Sequence, residues 1–131
     1  MQLTILLFLA SFLVACATPQ TETPQVRVLV LSNGDDGLTQ RLAEALRHGL
    51  QNLPRYSTVP TGEPSDLVIS IERNVRPSFV SDLMYANYDV RFYEANDHRV
   101  TIGTSAGGCL ANRVEDCAGT ILRDFRQALD R

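Results

Sequence analysis

From Met84 to Ala106 the chain alternates apolar and polar residues about a central turn, and no other feature restricts its fold as much. In the first arm Met84, Ala86, Tyr88, Val90 and Phe92 share one face, and Tyr85, Asn87, Asp89, Arg91 and Tyr93 share the other. Successive side chains of a strand point to opposite faces, so this arm is a half-buried strand. Asn96-Asp97-His98 supplies the turn, and Val100, Ile102, Thr104 and Ala106 are expected to form the matching core face of the return strand. A hairpin with one apolar face needs a second layer to cover it.

Two segments can supply that layer. Leu38, Leu42, Ala45, Leu46, Gly49, Leu50 and Leu53 recur at helical spacing, with Gln40, Arg41, Glu44, Arg47, His48 and Gln51 opposite, and Pro54 ends the run. The loop before it, Asn33-Gly34-Asp35-Asp36-Gly37, places aspartates where a helix takes its N-cap. Near the carboxy terminus, Asn112 and Glu115 have capping-box spacing. They precede a stripe of Val114, Cys117, Ala118, Ile121, Leu122, Phe125 and Leu129.

The remaining strands are shorter. Gln25 to Ser32 is apolar on both faces and predicts a central strand, Tyr56 to Val59 a short edge strand, and Asp66 to Arg73 a strand with Leu67, Ile69 and Ile71 toward the core. Asn74 to Leu83 reads as a loop carrying Pro77, Phe79 and Val80. The order β-α-(β)-β-β-β-α predicts an α+β fold. It is a two-layer sandwich with two helices on one face of a mostly antiparallel four- or five-stranded sheet.

Upstream, Leu3 to Val14 is an apolar run too short to span a bilayer as a mature helix and placed like the hydrophobic region of an export signal. It ends in Leu13-Val14-Ala15-Cys16, the residues of a lipobox, so the segment resembles a bacterial lipoprotein signal. The resemblance implies that residues 1–15 are a signal peptide removed on export and that the Cys16 thiol carries the lipid, palmitate among its acyl chains. Residues 16–24 are then a flexible tether of roughly 25 Å, and residues 25–131 a single periplasmic domain. Ala17 stands where an aspartate favours retention in the inner membrane, which by the same resemblance implies the outer membrane.

The net charge is −3 and all 12 basic residues are arginine, with no basic cluster, so a nucleic-acid partner is not expected. Cys109 and Cys117 are the thiols left after lipidation. In an oxidising compartment they are expected to form a disulfide closing the short loop from the last strand into the last helix. They lack the C-x-x-C spacing of a redox pair, and His98 lies at the far end of the hairpin, so no metal site is expected.

Gly103-Thr104-Ser105-Ala106-Gly107 matches the G-x-S-x-G pattern of a serine nucleophile. That chemistry needs a sharp strand-to-helix turn at the serine and a histidine after it, whereas His48 and His98 both precede Ser105. No catalytic residue and no cofactor are therefore expected. Two adjacent aspartates likewise suit a helix cap better than a phosphate cradle or a calcium loop. The candidates for partner contact are Tyr85, Arg91 and Tyr93 on the non-core strand face, whose residue types are enriched at interface anchors, with cross-strand packing as the alternative. Phe79 and Val80 join them, as residues that either touch a partner or the membrane or fold over a sheet edge.

The layout is similar to that of small envelope α/β domains: the lipoprotein activator of penicillin-binding proteins, curli-channel-type lipoproteins, and the amino-terminal domain of the Tol-system periplasmic protein. The stretches that carry it are VRVLVL, the helix from Leu38, Tyr56 to Val59, Ser65-Asp66-Leu67-Val68-Ile69, the strands around YDVRFYE and RVTIGTSAGG, and the helix to Arg131. VLVLSNGDDGLTQRLAEALRHGL also resembles the lipopolysaccharide-assembly lipoprotein. These resemblances imply a lipid-anchored accessory or assembly subunit of the cell envelope that works by protein contact. A small-ligand or lipid-binding lipoprotein is the alternative, and a serine hydrolase resting on Ser105 a more remote one.

Overall fold

A computed structural model describes residues 24–131. The expected signal peptide, Cys16 and the expected tether up to residue 23 lie outside the described residues. The order of elements is β1 (Val26–Ser32), α1 (Gly37–Gln51), β2 (Tyr56–Thr58), β3 (Leu67–Ile71), β4 (Arg76–Val80), β5 (Leu83–Glu94), β6 (Asp97–Leu110) and α2 (Val114–Leu129). Two helices lie on one face of a single sheet, the expected α+β architecture.

The sheet is mixed. β1 pairs parallel with β2 and with β3, while β3, β4 and β6 all pair antiparallel with β5. Parallel neighbours need a crossover between them, and α1 is the one joining β1 to β2. β6 runs along β5 from Tyr85 to Glu94 and so occupies one of its edges. β3 and β4 share the other edge end to end, opposite Val90–Glu94 and Leu83–Asn87 respectively.

The α1 pattern translates directly into packing. Leu42, Leu46 and Leu50 are buried, and Asp36 is the N-cap: its carboxylate accepts from the Thr39 backbone N–H at 2.9 Å and the Thr39 hydroxyl at 2.6 Å. The same hydroxyl accepts from the Val75 N–H at 2.9 Å, so one buried threonine ties the start of α1 to the link between β3 and β4. Hydrogen bonding to Thr39 holds the Asp36 carboxyl below its ordinary value of 3.8. A carboxyl depressed in the folded state stabilises above its unfolded pKa and loses that contribution as pH falls through the folded one. Asp36→Ala is therefore expected to cost about 1 kcal/mol at neutral pH. The difference from wild type should shrink as urea unfolding is repeated below about pH 4.

Four expectations are corrected. Arg76–Val80, read as a loop, is strand β4, which forms because a two-residue turn at Ser81-Asp82 folds it back on β5. Val100, Thr104 and Ala106 are not on the core face of β6, since Val100 is 53% exposed and Thr104 and Ala106 are exposed, whereas Ile102 is partly buried against the core. A register shift next to Ile102 reverses the phase, so that Gly103 and Ser105 face the helices. Met84, placed with the core, is exposed beyond the end of α2. Asn112 makes no cap: Arg113 holds that position without a side-chain bond, and backbone turns close the entry to α2 instead.

The phase of β6 has a packing reason. A β-carbon at Gly103 would sit 2.8 Å from that of Ala128, so the absent side chain is what lets α2 lie directly on the strand. Phe92, Phe125, Leu42, Leu46, Ile69 and Ile121 fill the space between the layers and are fully buried.

Candidate protein-contact surface

The β4–β5 hairpin ends in a finger tip, Phe79–Val80 against Leu83–Met84, that extends beyond the Tyr85–Glu94 stretch paired with β6. Phe79 pairs with Met84 and Val80 with Leu83. At the tip these side chains are 70%, 39%, 61% and 52% exposed, so two apolar pairs face water, Phe79 with Met84 on one face of the hairpin and Val80 with Leu83 on the other. A run of adjacent exposed apolar side chains marks a contact site far more than scattered single ones do.

Local chemistry fixes the shape of the tip. Ser81 has φ 55°, a left-handed backbone that non-glycine residues seldom adopt, and it allows the chain to reverse in two residues. Lower down, the Asn87 side-chain amide donates to the Arg76 carbonyl at 3.0 Å and the Ser78 hydroxyl at 2.8 Å, stitching the two strands together. Pro77 and Arg76 lie on the outer strand, where a missing N–H and a charge are tolerated.

The structure separates the sequence candidates. Phe79 and Val80 are at the tip, with half-buried Tyr85 just behind them opposite Ser78. Arg91 and Tyr93 are elsewhere, occupied with each other and their neighbours. The Arg91 guanidinium lies 4.7 Å from the Tyr93 ring centre, its Nε is 2.6 Å from Glu72, and it donates to the His98 carbonyl at 3.2 Å. Tyr93 is buried, with the His98 ring edge-on to it. This cluster covers Val68 and Ser70, which is why β3 is buried on both faces instead of one. Leu83 and Met84 are the exposed apolar candidates that sequence reasoning missed. The signal was available in Ser81-Asp82, a polar pair between two apolar ones.

The other candidate sites resolve as structure. Cys109 and Cys117 form a disulfide with 5.5 Å between their α-carbons. Ser105 is buried in mid-strand and donates to Asp124 at 2.6 Å, with no histidine among its hydrogen-bond partners. Across the sheet, Asp66 takes a bidentate pair of bonds from the Arg27 side chain, which holds its carboxyl below the usual range. Among the described residues no group of His, Cys, Asp and Glu is placed to hold a metal ion, and no helix is long and apolar enough to cross a membrane. A groove of about 580 Å³ lies on the outer side of the helix pair between Arg41, Glu44, His48, Glu115 and Leu122, not between the layers.

No family model matches the sequence, and no curated protein is significantly similar to it. Among solved structures, the chain is similar to TolB from Acinetobacter baumannii, with a TM-score of 0.55 at 13% identity over 82% of this chain. It spans only 29% of that TolB chain. It is also similar to uncharacterized lipoprotein B from Nitrosomonas europaea, with a TM-score of 0.51 at 16% identity over 78% of this chain and 83% of that one. A third is a DUF330 protein from Xanthomonas campestris, with a TM-score of 0.52 at 8% identity over 84% and 90% of the two chains. At such identities the likeness is one of fold.

Proposed function

We propose that this protein is a lipid-anchored accessory subunit of the bacterial cell envelope, held to the outer membrane through Cys16 and acting in the periplasm by protein contact rather than catalysis. The observation that carries the reading is the apolar finger tip of Phe79, Val80, Leu83 and Met84. A chain that leaves four large apolar groups on a projecting hairpin has a use for them, and an apolar centre with Tyr85 at its rim has the composition of an interface anchor. The lipobox residues, and a fold shared with a lipoprotein and with part of TolB, support the envelope setting. The absence of catalysis in this reading follows the chemistry of Ser105, whose hydroxyl is already committed to Asp124 inside the sandwich.

The test places a photo-crosslinking side chain at Phe79 in the full-length lipoprotein in intact cells. One envelope protein is expected as the dominant adduct, and Val80→Ser with Leu83→Ser should cut its yield by about tenfold or more. The melting temperature should stay within a few degrees, because exposed positions contribute little to folding. Adducts with lipid alone would mean that the tip docks on the bilayer, and an unchanged yield in the double variant would remove the tip from the contact.

A further inference from the structure

Among the described residues the sheet has three free edges, and they are protected very differently. β2 is three residues long and lies between Pro54 and Pro60. β4 has Pro77 and Arg76 on its open side. β6 pairs only with β5, and from Val100 to Leu110 it has neither a charged residue nor a proline. The bulge next to Ile102 disturbs only its start, and from Gly103 to Leu110 the pairing register is regular. An unpaired edge exposes a row of N–H and C=O groups that will template another strand. Proteins that stay apart normally block such an edge with charge, proline or brevity. Two edges here are blocked in those ways and the longest is not.

We propose that β6 is the interface between two copies of this chain, paired antiparallel about a two-fold axis so that both sheets become one. The choice of a second copy comes from the helix above the strand. α2 runs back along β6 itself, touching it through Cys117 on Cys109, Asp124 on Ser105 and Ala128 beside Gly103. A two-fold axis at β6 therefore sets α2 beside its own copy. At one end of the strand, Asp124, Gln127 and Arg131 line a polar recess with Gly103 and Thr104. Helical spacing continues that flank through Arg123, Thr120 and Asp116. Arginine and aspartate thus alternate along the flank. A partner of one sign would set like charge against half of them, whereas a second copy brings both signs in equal measure. Such an isologous contact closes after two chains and leaves no edge free for fibre growth. This inference is independent of the finger tip, which belongs to the opposite edge of β5.

The first measurement is sedimentation equilibrium of the full chain in density-matched detergent. The expected mass is that of two chains, falling toward one on dilution; a single-chain mass at every concentration would overturn the proposal. The second places a photo-crosslinker at Ala106 in cells, which is expected to give an adduct of doubled mass containing only this chain. Thr104→Lys sets an exposed charge on the edge and should reduce the adduct by about tenfold. An adduct with a different protein, or a yield indifferent to the lysine, would rule out the second copy. Melting of Thr104→Lys checks that the lysine acts on the edge; if the variant unfolds, the mass of the unsubstituted chain decides.

Discussion

Phe125→Ala is expected to remove about 3–5 kcal/mol of unfolding free energy, the range for deleting a buried aromatic ring. Phe125 is fully buried on α2, its ring 5.2 Å from Phe92 in an edge-on arrangement and 5.7 Å from Tyr56. It is the point where α2, the carboxy-terminal part of β5 and the edge strand β2 meet, so nothing nearby can collapse into the space it leaves. A domain of this size has roughly 5–15 kcal/mol in total, and the variant should be partly unfolded under mild denaturant. Phe125→Leu retains most of the volume and should lose far less, about 1–1.5 kcal/mol. Urea unfolding followed by circular dichroism checks both. A loss below about 1.5 kcal/mol for the alanine variant would mean that α2 does not seat on the sheet as described.

The same residue type does opposite work at position 79. Phe79 is 70% exposed, so its removal should leave stability nearly untouched while weakening a contact. This contrast separates folding from recognition within one sheet: the helices end near Ala86, and beyond that point β4 and β5 have no layer to bury their apolar side chains. The Cys117 sulfur, 3.9 Å from the Ala86 carbonyl oxygen, marks where the cover stops.

How much of this was readable beforehand depended on whether a segment's own periodicity decided its structure. α1 was legible because Leu42, Leu46 and Leu50 repeat at helical spacing behind an aspartate cap, and both signals agree. The faces of β5 were legible for the same reason. β6 was not: its helix-facing residues include Gly103 and Ser105, which a hydrophobic pattern cannot register, and the bulge at Ile102 inverted the phase that Val100 and Ile102 suggested. β4 has no buried residue at all, so only its pairing with β5 makes it a strand. The candidate contact surface was half visible: Phe79 and Val80 stood out in a polar setting, while Met84 fits a strand pattern whose covering helix falls short of it. Arg91 and Tyr93 had the right chemistry for an interface, yet Glu72 and His98 satisfy them within the chain.

Replacing Cys109 and Cys117 together by alanine is expected to cost roughly 2–3 kcal/mol, the chain-entropy value for so short a loop. The bond spans 8 positions and joins the end of β6 to the first turn of α2. That turn has no side-chain cap, and what holds it otherwise is the Arg113 N–H on the Leu110 carbonyl at 2.8 Å, and Arg41 of α1 donating to the Ala111 carbonyl at 2.8 Å. Without the cross-link the helix start rests on those bonds and on the buried Val114 and Ala118, and the melting temperature should fall by about 10–20 °C. Cys117 is 1% exposed and Cys109 is partly buried, so the native bond should be reduced more slowly than in the opened domain. Reduction should therefore accelerate steeply with added urea, following the opening of α2. Calorimetry of the double variant and thiol trapping across a urea series make the two measurements. A change below about 1 kcal/mol would show that the packing of Ile121, Leu122 and Phe125 holds α2 without help. A loss of the expected size makes the disulfide what keeps α2 over β6, and with it the charged flank that the proposed second copy meets.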